Sequence, residues 1–371
     1  MTAGLLPVPS DEQSMLVDAS VRLMEAEVPL AVIRAAADGA DDPIDGYTAT
    51  AAELGWFGLL SDEASGGGSL SGNGLLDAAL VASERGRHLQ PGPFVGHSVV
   101  VGALAAAGGH DDQLAELIAG ATWATWAFDE TVTCRLTGSG DALRLDGTVA
   151  VVADADRCGL LLVPALGPEG AVQVLVRTEA SGATVRRLTG LDVTRHWASV
   201  ELSGVAVGAS DLLGAAGPAT DAALAHQAQV AAVLVAAESV GAMRADLEMA
   251  VAYAKDRVAF GRPIGSFQGL KHLIADASLS LEMAMGVVAA AAVALGAADP
   301  DGPQLAHAAK AFVAEHGLEL AHTCFQVFGG IGYTWEHDQH LYLRRLASDA
   351  ELFGSPGWHR ERLLEAAGVA R

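Results

Sequence analysis

With 371 residues, 51% of them apolar, the chain can bury a large core, which excludes both a small disulfide scaffold and a disordered segment. Its formal net charge of −23 argues against a nucleic-acid surface, because binding to phosphates requires clustered lysine and arginine. The same charge fits a soluble cytoplasmic protein. Cys134, Cys158 and Cys324 are odd in number and lack metal-ligand spacing, so ordinary thiols in a reducing compartment are expected.

Residues 1–119 are predicted to form an N-terminal helical domain. Apolar residues recur there at spacings of three and four, and Ser10 is a candidate cap for the first helix. The glycines from Gly66 to Gly68 interrupt this pattern and predict a mobile loop. The first residues contain no basic segment followed by a long apolar core, so a secretory signal is not expected.

Residues 120–213 are predicted to form a β domain. Short segments rich in valine, leucine and threonine are separated there by glycine, aspartate or proline, which is a pattern typical of strands. The glycines and alanines from Gly214 to Gly217 form a predicted linker to the next section.

Residues 214–371 are predicted to form a C-terminal helical domain. Its three long helical runs are predicted at residues 222 to about 256, 270 to 298 and 304 to about 327. The longest apolar stretch, Met283 to Ala298, is too short to span a bilayer comfortably, so a buried helix is expected instead of a membrane segment. The chain is thus predicted to be mainly α with a central β domain.

The first segment with possible chemistry covers residues 253–268. A helix is predicted to end at Gly261 and Pro263, which leaves Arg257 in its last turn, Phe260 just beyond and Gln268 at the start of the next helix. Taken alone, the segment has an ordinary explanation, because Arg257 can offset the helix dipole and Phe260 can fill a hole.

The second segment follows a helix that carries Gln326. Three closely spaced glycines, Gly329, Gly330 and Gly332, expose backbone N–H groups and let a phosphate-bearing ligand approach the chain. Glycines also simply end helices, so this segment by itself does not distinguish a ligand site from a helix stop.

Together the two segments, about sixty residues apart, resemble the C-terminal domain of the acyl-CoA dehydrogenase family. The sequence Glu-Leu-Gly-Trp-Phe-Gly-Leu from Glu53 resembles its N-terminal domain, and Leu-Asp-Val-Thr-Arg from Leu191 resembles the end of its β domain. The resemblance implies an N-terminal helical domain, a β-barrel-like middle domain and a C-terminal four-helix bundle that assemble as a tetramer, a dimer of dimers.

The resemblance also implies FAD as cofactor, an acyl-CoA thioester as substrate, and electron-transfer flavoprotein or a similar acceptor as partner. In that family, residues of the two segments reach across a dimer interface to FAD held mainly by the neighbouring subunit. The matching positions here are Arg257, Phe260, Gln268, Gln326, Gly329 and Gly330. These types suit the task, because a guanidinium offsets diphosphate charge, glycine N–H groups donate to oxygens, and a carboxamide both donates and accepts.

The family's reaction removes a proton alpha to the thioester carbonyl while a hydride passes from the beta carbon to the flavin, so it needs a carboxylate base. Many members carry that base as a Glu directly before Gly-Thr near the C-terminus, but residues 349–357 contain no Glu-Gly-Thr. In other members the base precedes the first segment on the long helix, and the matching position here is Ala231. Glu238, two turns further on, is either a relocated base or a structural carboxylate paired with an arginine or a backbone amide, or facing a subunit contact.

The flavin-ring side departs from the family as well. Residues 128–131, Phe-Asp-Glu-Thr, stand where the family has Thr-Glu-Pro, and Asp129 replaces a neutral hydroxyl that would face the flavin. The strand that follows also lacks the Trp usually packed beside the ring. These departures favour a supporting partner in a mixed tetramer over a complete enzyme, and the same fold also allows another flavin reaction or a scaffold subunit without chemistry.

Other chemistry finds little support in the sequence. His337 and His340 are three residues apart without a third ligand, so an exposed polar edge is expected there and no metal site. No Walker loop, no Gly-x-Gly-x-x-Gly after a strand and no Gly-x-Ser-x-Gly motif is present. The sequence therefore predicts neither a nucleoside triphosphate site nor a nicotinamide site, and neither a nucleic-acid partner nor a membrane.

Overall fold

A computed structural model describes residues 9–39, 47–366 and 368–369 of the chain. Within these residues, six helices are followed by seven strands and then by a second helical section that begins with a long helix and a small hairpin. This order confirms the predicted fold class, a mainly α chain with a central β domain.

The N-terminal section contains helices with the bounds α1 Asp11–Glu27, α2 Leu30–Ala37, α3 Thr48–Glu53, α4 Gly74–Arg87, α5 Phe94–Ala107 and α6 Asp111–Ile118. Ser10 caps α1 as expected, because its side chain accepts from the Gln13 N–H while the Gln13 side chain accepts from the Ser10 N–H. In the glycine-rich loop, a Cβ at Gly67 would meet the Gly58 carbonyl oxygen at 2.3 Å. The loop therefore needs glycine where it packs onto the preceding turn.

The central section contains strands with the bounds β1 Ala124–Trp126, β2 Cys134–Thr137, β3 Leu143–Ala153, β4 Leu160–Gly167, β5 Gly170–Arg177, β6 Ala183–Leu188 and β7 Trp197–Val207. They form one mixed sheet in the order β1-β4-β2-β3-β7-β6, with β5 also paired to β4. The sheet has its own core, which includes Leu145, Val163 and Val200. These strands lie inside the predicted interval 120–213, and the domain boundaries themselves stay a prediction.

The C-terminal section contains α7 Pro218–Asp256, the hairpin strands β8 Val258–Ala259 and β9 Arg262–Pro263, α8 Gln268–Gly296, α9 Gly302–Phe328, α10 Gln339–Glu351 and α11 Pro356–Ala366. Proline stands in the first turn of α7, where its missing N–H has no helical partner to lose. The helices α7, α8, α9 and α10 pack into the bundle, and α4 packs against α7 and α8. The N-terminal and C-terminal helices thus share one core.

Among the described helices, α8 is long and apolar enough to cross a membrane by length and composition. It instead packs against α7 and α9 with one face, which buries Ala284, Val288 and Ala291. The opposite face exposes Leu279 and Met283. The expected burial of this helix is therefore correct for one face only, because the bundle covers a single side of it.

Candidate functional site

The two segments singled out for a cofactor lie next to each other at one end of the bundle. Tyr253, one turn before Arg257, packs against Phe328, the last residue of α9, with the ring centroids 5.2 Å apart. The helix α9 ends there because Gly329 follows with a left-handed φ of 62°. The contact places the end of α7 beside the diglycine turn.

The turn after α7 presents Arg257 and Phe260 to solvent. The Arg257 N–H donates to the Tyr253 carbonyl at 2.8 Å, and the Arg257 carbonyl accepts from the Ile264 N–H at 2.8 Å, so its backbone is fixed on both sides. Phe260 has a φ of 52° and is 95% exposed. A large aromatic side chain held in this way is expected on a surface that another molecule covers.

The other predicted cofactor residues are also accessible. Gln268 is the first residue of α8, Gln326 lies in the last turn of α9, and both are exposed. A Cβ added at Gly329 or Gly330 would meet no atom within 4 Å, so the chain there stands open to a ligand. We name Arg257, Phe260, Gln268, Gln326, Gly329 and Gly330 the cofactor surface. Its donors fit a diphosphate and the polar edges of a dinucleotide, and cofactor binding itself stays a prediction.

The segment after the diglycine is fastened to the N-terminal section. Arg34 of α2 forms an ion pair with Asp338, and the Trp335 indole N–H donates to the Asp38 carboxylate at 2.6 Å. His340 stacks on Trp335 with centroids 4.6 Å apart. The exposed polar edge expected from the two histidines is wrong for His340, which is packed, and no group of three metal-binding side chains occurs among the described residues.

Glu238 is buried, with 1% of its surface exposed, inside a network of charges. Arg195 Nη2 donates to Glu238 Oε2 at 2.5 Å and to Asp349 Oδ1 at 2.9 Å. Arg85 Nε lies 3.7 Å from the other oxygen of Glu238. These contacts match the alternative in which Glu238 is a structural carboxylate paired with arginine.

Two further residues complete the network. Arg345 Nε donates to Asp192 Oδ2 at 2.7 Å, and Asp192 lies 3.6 Å from Arg195 Nε. We name the six residues Arg85, Asp192, Arg195, Glu238, Arg345 and Asp349 the ion-pair cluster. Three arginines balance three carboxylates, and the members come from all three sections of the chain. The cluster therefore joins the β domain to both helical sections.

The two carboxylates that share Arg195 differ in proton affinity. Burial raises the pKa of Asp349 to about 6 against the opposing charges of Arg195 and Arg345. Burial also acts to raise the pKa of Glu238, but the charges of Arg195, Arg85 and Arg345 outweigh it and lower that pKa. An ionised carboxylate held by arginines is a weak proton acceptor, which favours the structural role. The role of Glu238 as a base stays a hypothesis.

The residue directly before Gly354 and Ser355 is Phe353, which lies in a group of aromatic rings. Its ring stacks on Trp126 with centroids 5.9 Å apart, and the Phe128 ring lies 6.2 Å away. Trp358 packs edge-on against Phe128 at 5.7 Å. We name Trp126, Phe128, Phe353 and Trp358 the aromatic cluster. This chain thus packs a hydrocarbon ring directly before Gly354.

A cleft of about 360 Å³ opens beside the aromatic cluster, between residues 150–153 of β3 and the start of the loop after α10. The carboxylates of Asp129, Glu130 and Glu351 line it. The Ser355 N–H donates to Glu130 at 2.7 Å, which ties the loop to the wall of the cleft. Asp129, at the position where the family resemblance implies a neutral hydroxyl facing the flavin, thus lies in this cleft.

A buried lysine supports the same loop. Lys310 Nζ donates to the carbonyl oxygens of Asp349, Ala350 and Gly354 at 2.8, 2.7 and 3.2 Å. Burial lowers the pKa of Lys310 to about 8. The sequence analysis did not identify Lys310. A single lysine within an alanine-rich helical run could have indicated it. Lys310 satisfies the carbonyls that the end of α10 leaves open.

Comparison with known families gives two matches. A model described as the acyl-CoA dehydrogenase C-terminal domain matches residues 222–368, and one described as the N-terminal domain matches residues 10–122. Acyl-CoA dehydrogenase FadE34 of Mycobacterium tuberculosis is 37% identical over 86% of this chain, and this chain spans only 42% of the length of that relative. Acyl-CoA dehydrogenase IpdE2 of Mycolicibacterium smegmatis is 32% identical over 95% of this chain and 98% of its own length.

Solved structures share the whole fold. A steroid ACAD variant titled Tcur3481-Tcur3483 superposes with a TM-score of 0.87 at 26% identity and covers 97% of this chain and 98% of its own. The ChsE4-ChsE5 complex from Mycobacterium tuberculosis superposes with a TM-score of 0.88 at 24% identity and covers 98% of this chain and 99% of its own. The second similarity shows the fold alone.

Proposed function

The chain belongs to the acyl-CoA dehydrogenase family, and we propose that it is the supporting subunit of a hetero-oligomer that dehydrogenates an acyl-CoA thioester with FAD. In this proposal the base and the flavin-ring site belong to a sister chain of the same family. This chain contributes the cofactor surface to the flavin of that sister.

One observation carries the proposal: residues 349–357 contain no Glu-Gly-Thr, and the residue directly before Gly354 is Phe353. Its ring is packed against Trp126 and Phe128, and a hydrocarbon ring cannot accept a proton. The adjacent cleft contains Asp129, where the family resemblance implies a neutral hydroxyl. In this proposal the base and the ring site are lost together in one region, as expected of a subunit that does not carry out the chemical step.

The cofactor surface supports the other half of the proposal. FAD would supply the hydride acceptor, bound mainly by the sister chain. Arg257 would offset diphosphate charge, the Gly329 and Gly330 backbone would donate to oxygens, and Gln268 and Gln326 would bond to polar edges. None of these groups moves a proton, so together they bind and orient the cofactor.

The known structures support a mixed assembly as well. One neighbour with this fold, at 26% identity, is the steroid ACAD variant Tcur3481-Tcur3483, which carries the names of two chains. On this chain, Phe260 at the cofactor surface and Leu279 and Met283 on α8 are exposed apolar groups that a partner subunit would cover. We propose a dimer of dimers, with electron-transfer flavoprotein or a similar protein as the electron acceptor.

Expressing the chain alone and together with candidate sister chains tests the proposal. We expect the chain alone to be colourless and inactive, and the mixed assembly to show flavin absorbance and to reduce an electron acceptor with acyl-CoA. Yellow, active protein obtained from this chain alone would refute the supporting role.

Glu238→Gln in the mixed assembly separates the two readings of that carboxylate. If Glu238 is structural, turnover per bound flavin stays unchanged and only stability falls. Loss of turnover with the flavin still bound would instead make Glu238 the base and this chain a complete enzyme.

A further inference from the structure

A second cavity, of about 880 Å³, lies away from the cofactor surface, the ion-pair cluster and the aromatic cluster. It forms where the end of α5, the start of α7 and the end of α8 meet the glycine-rich loop. No residue of those three named sites lines it. Its volume is that of pockets that enclose small molecules.

Small and apolar side chains form most of its wall. They include Leu60, Val99, Ala103, Ala223 and Val230, and glycines such as Gly102 and Gly296 stand among them. A Cβ added at Gly102 would come no closer than 3.4 Å to Leu60. The wall is therefore apolar and can contact a large hydrocarbon ligand.

Two buried carboxamides in the wall have unused acceptors. Gln173 and Gln227 are 2% and 5% exposed, and the Oε1 atom of each has no hydrogen-bond partner among the described residues. A buried acceptor without a partner is unfavourable, so a ligand that donates to it gains affinity. Each amide can turn about its last side-chain bond to present that oxygen to the cavity.

Two of the three hydroxyl groups of the wall, those of Ser61 and Thr220, also accept more readily than they donate. Ser61 already donates its hydroxyl hydrogen to the Gly58 carbonyl at 2.9 Å, and Thr220 donates to the Ala215 carbonyl at 2.7 Å. Their remaining capacity is in oxygen lone pairs. Four polar side chains of the wall can therefore accept a hydrogen bond from a ligand: Ser61, Gln173, Thr220 and Gln227.

The charges at the cavity exclude an anion. No lysine or arginine is among the residues that line it in the described part of the chain, whereas Asp62 and Glu63 are exposed there. A carboxylate or phosphate would lose its hydration without gaining a cation.

We propose that this cavity binds a neutral, hydrophobic molecule that carries a hydroxyl group, and that the hydroxyl donates to Gln173 or Gln227. The site is independent of the cofactor surface, so the proposal stands or falls separately from the supporting role of the chain.

Three matched probes test the ligand class by titration calorimetry on the full chain: decan-1-ol, its isomer 1-methoxynonane, which lacks the donor, and decanoate, which is anionic. We expect the alcohol to bind about fivefold more tightly than the ether, the effect of one hydrogen bond, and decanoate to bind more weakly than both. Equal affinity for the alcohol and the ether, tightest binding of decanoate, or no binding of the alcohol would each overturn the proposal.

Two pairs of variants locate the site. Ala223→Phe fills the cavity and should abolish binding of the alcohol, while Ala222→Phe, on the adjacent exposed position outside the wall, should not. Gln227→Leu should reduce the preference for the alcohol over the ether, while Gln229→Leu, outside the wall, should leave it intact. If Ala223→Phe is poorly folded, the glutamine pair decides. Unchanged discrimination in both Gln227→Leu and Gln173→Leu would contradict the assignment.

Discussion

The cofactor surface and the region around Phe353 differ in what they expose to solvent. The cofactor surface keeps charged and polar groups exposed around Arg257 and the diglycine, with an aromatic side chain, Phe260, in solvent. The region around Phe353 has been packed with rings and bordered with carboxylates. The first region is accessible to another molecule, whereas the second is packed inside this subunit. This difference makes clear predictions, because substitutions in the two regions should act on different measured quantities.

The largest effect on folding is expected at the ion-pair cluster. Arg195→Met leaves Glu238 and Asp349 as buried charges without their shared partner, so the free energy of unfolding should fall by about 4 kcal/mol. Denaturant unfolding measures it, and Arg186→Met on the exposed strand β6 is the control, expected to change stability by less than about 0.5 kcal/mol. Equal stability of the two variants would show that the cluster is not a structural element.

A somewhat smaller effect is expected in the aromatic cluster. Phe353→Ala removes a ring packed against Trp126 and Phe128, which should cost about 3 kcal/mol of unfolding free energy. The same substitution at the exposed Phe260 should cost less than about 0.5 kcal/mol in the isolated chain. If Phe353→Ala were neutral for folding, the packed region would not be a stability element and the contrast between the two regions would disappear.

Acid should destabilise the packed region through a buried histidine pair. His307 Nδ1 lies 2.9 Å from His359 Nδ1, and burial lowers their pKa values to about 4 and about 3. Because the unfolded chain binds these protons more readily, the stabilisation is complete above about pH 6.5 and is lost as the pH falls toward 4. His307→Gln should flatten the decline between pH 7 and pH 5 by about 2 kcal/mol, measured by denaturant unfolding across that range. An unchanged pH profile would show that the pair of His307 and His359 does not cause the loss of stability in acid.

The smallest effect on folding should accompany the largest effect on cofactor retention. Arg257→Leu at the cofactor surface should change the stability of this chain by less than about 0.5 kcal/mol. In the mixed assembly it should weaken flavin retention about tenfold, since one charge-assisted contact to a diphosphate is lost. Flavin released on dilution gives the measurement, with Arg186→Leu as control. Full retention by the Arg257 variant would remove this residue from the cofactor surface.

Local patterns in the sequence predicted much of the fold. Helical spacing placed the three long runs within a few residues of α7, α8 and α9, and Ser10 was identified as a cap from its own turn. These features depend on neighbours in sequence, so a single chain reveals them. The single exposed face of α8 was not foreseen, because it depends on which helices happen to pack beside it.

In the candidate site, the sequence predicted only those residues whose role does not depend on a distant side-chain partner. The sequence identified the accessible groups Arg257 and Gln326, but not the partner of Glu238, since Arg195 lies 43 residues away from it in the chain. Asp349, which shares Arg195, lies 154 residues from that arginine. The contact between Trp335 and Asp38 spans 297 residues and leaves no local pattern. Such long-range contacts depend on the tertiary fold, which is why the choice between base and structural carboxylate stayed open.

The ion-pair cluster also limits how this protein can be divided. A fragment cut at the predicted linker, from residue 214 onward, would retain Glu238, Arg345 and Asp349 but lose Arg85, Asp192 and Arg195. The charges of Glu238 and Asp349 would then be balanced by Arg345 alone, in an interior that the cut exposes to solvent. The helical bundle is therefore not an excisable module, and shuffling of this segment between related genes would succeed only together with the arginines from the preceding sections.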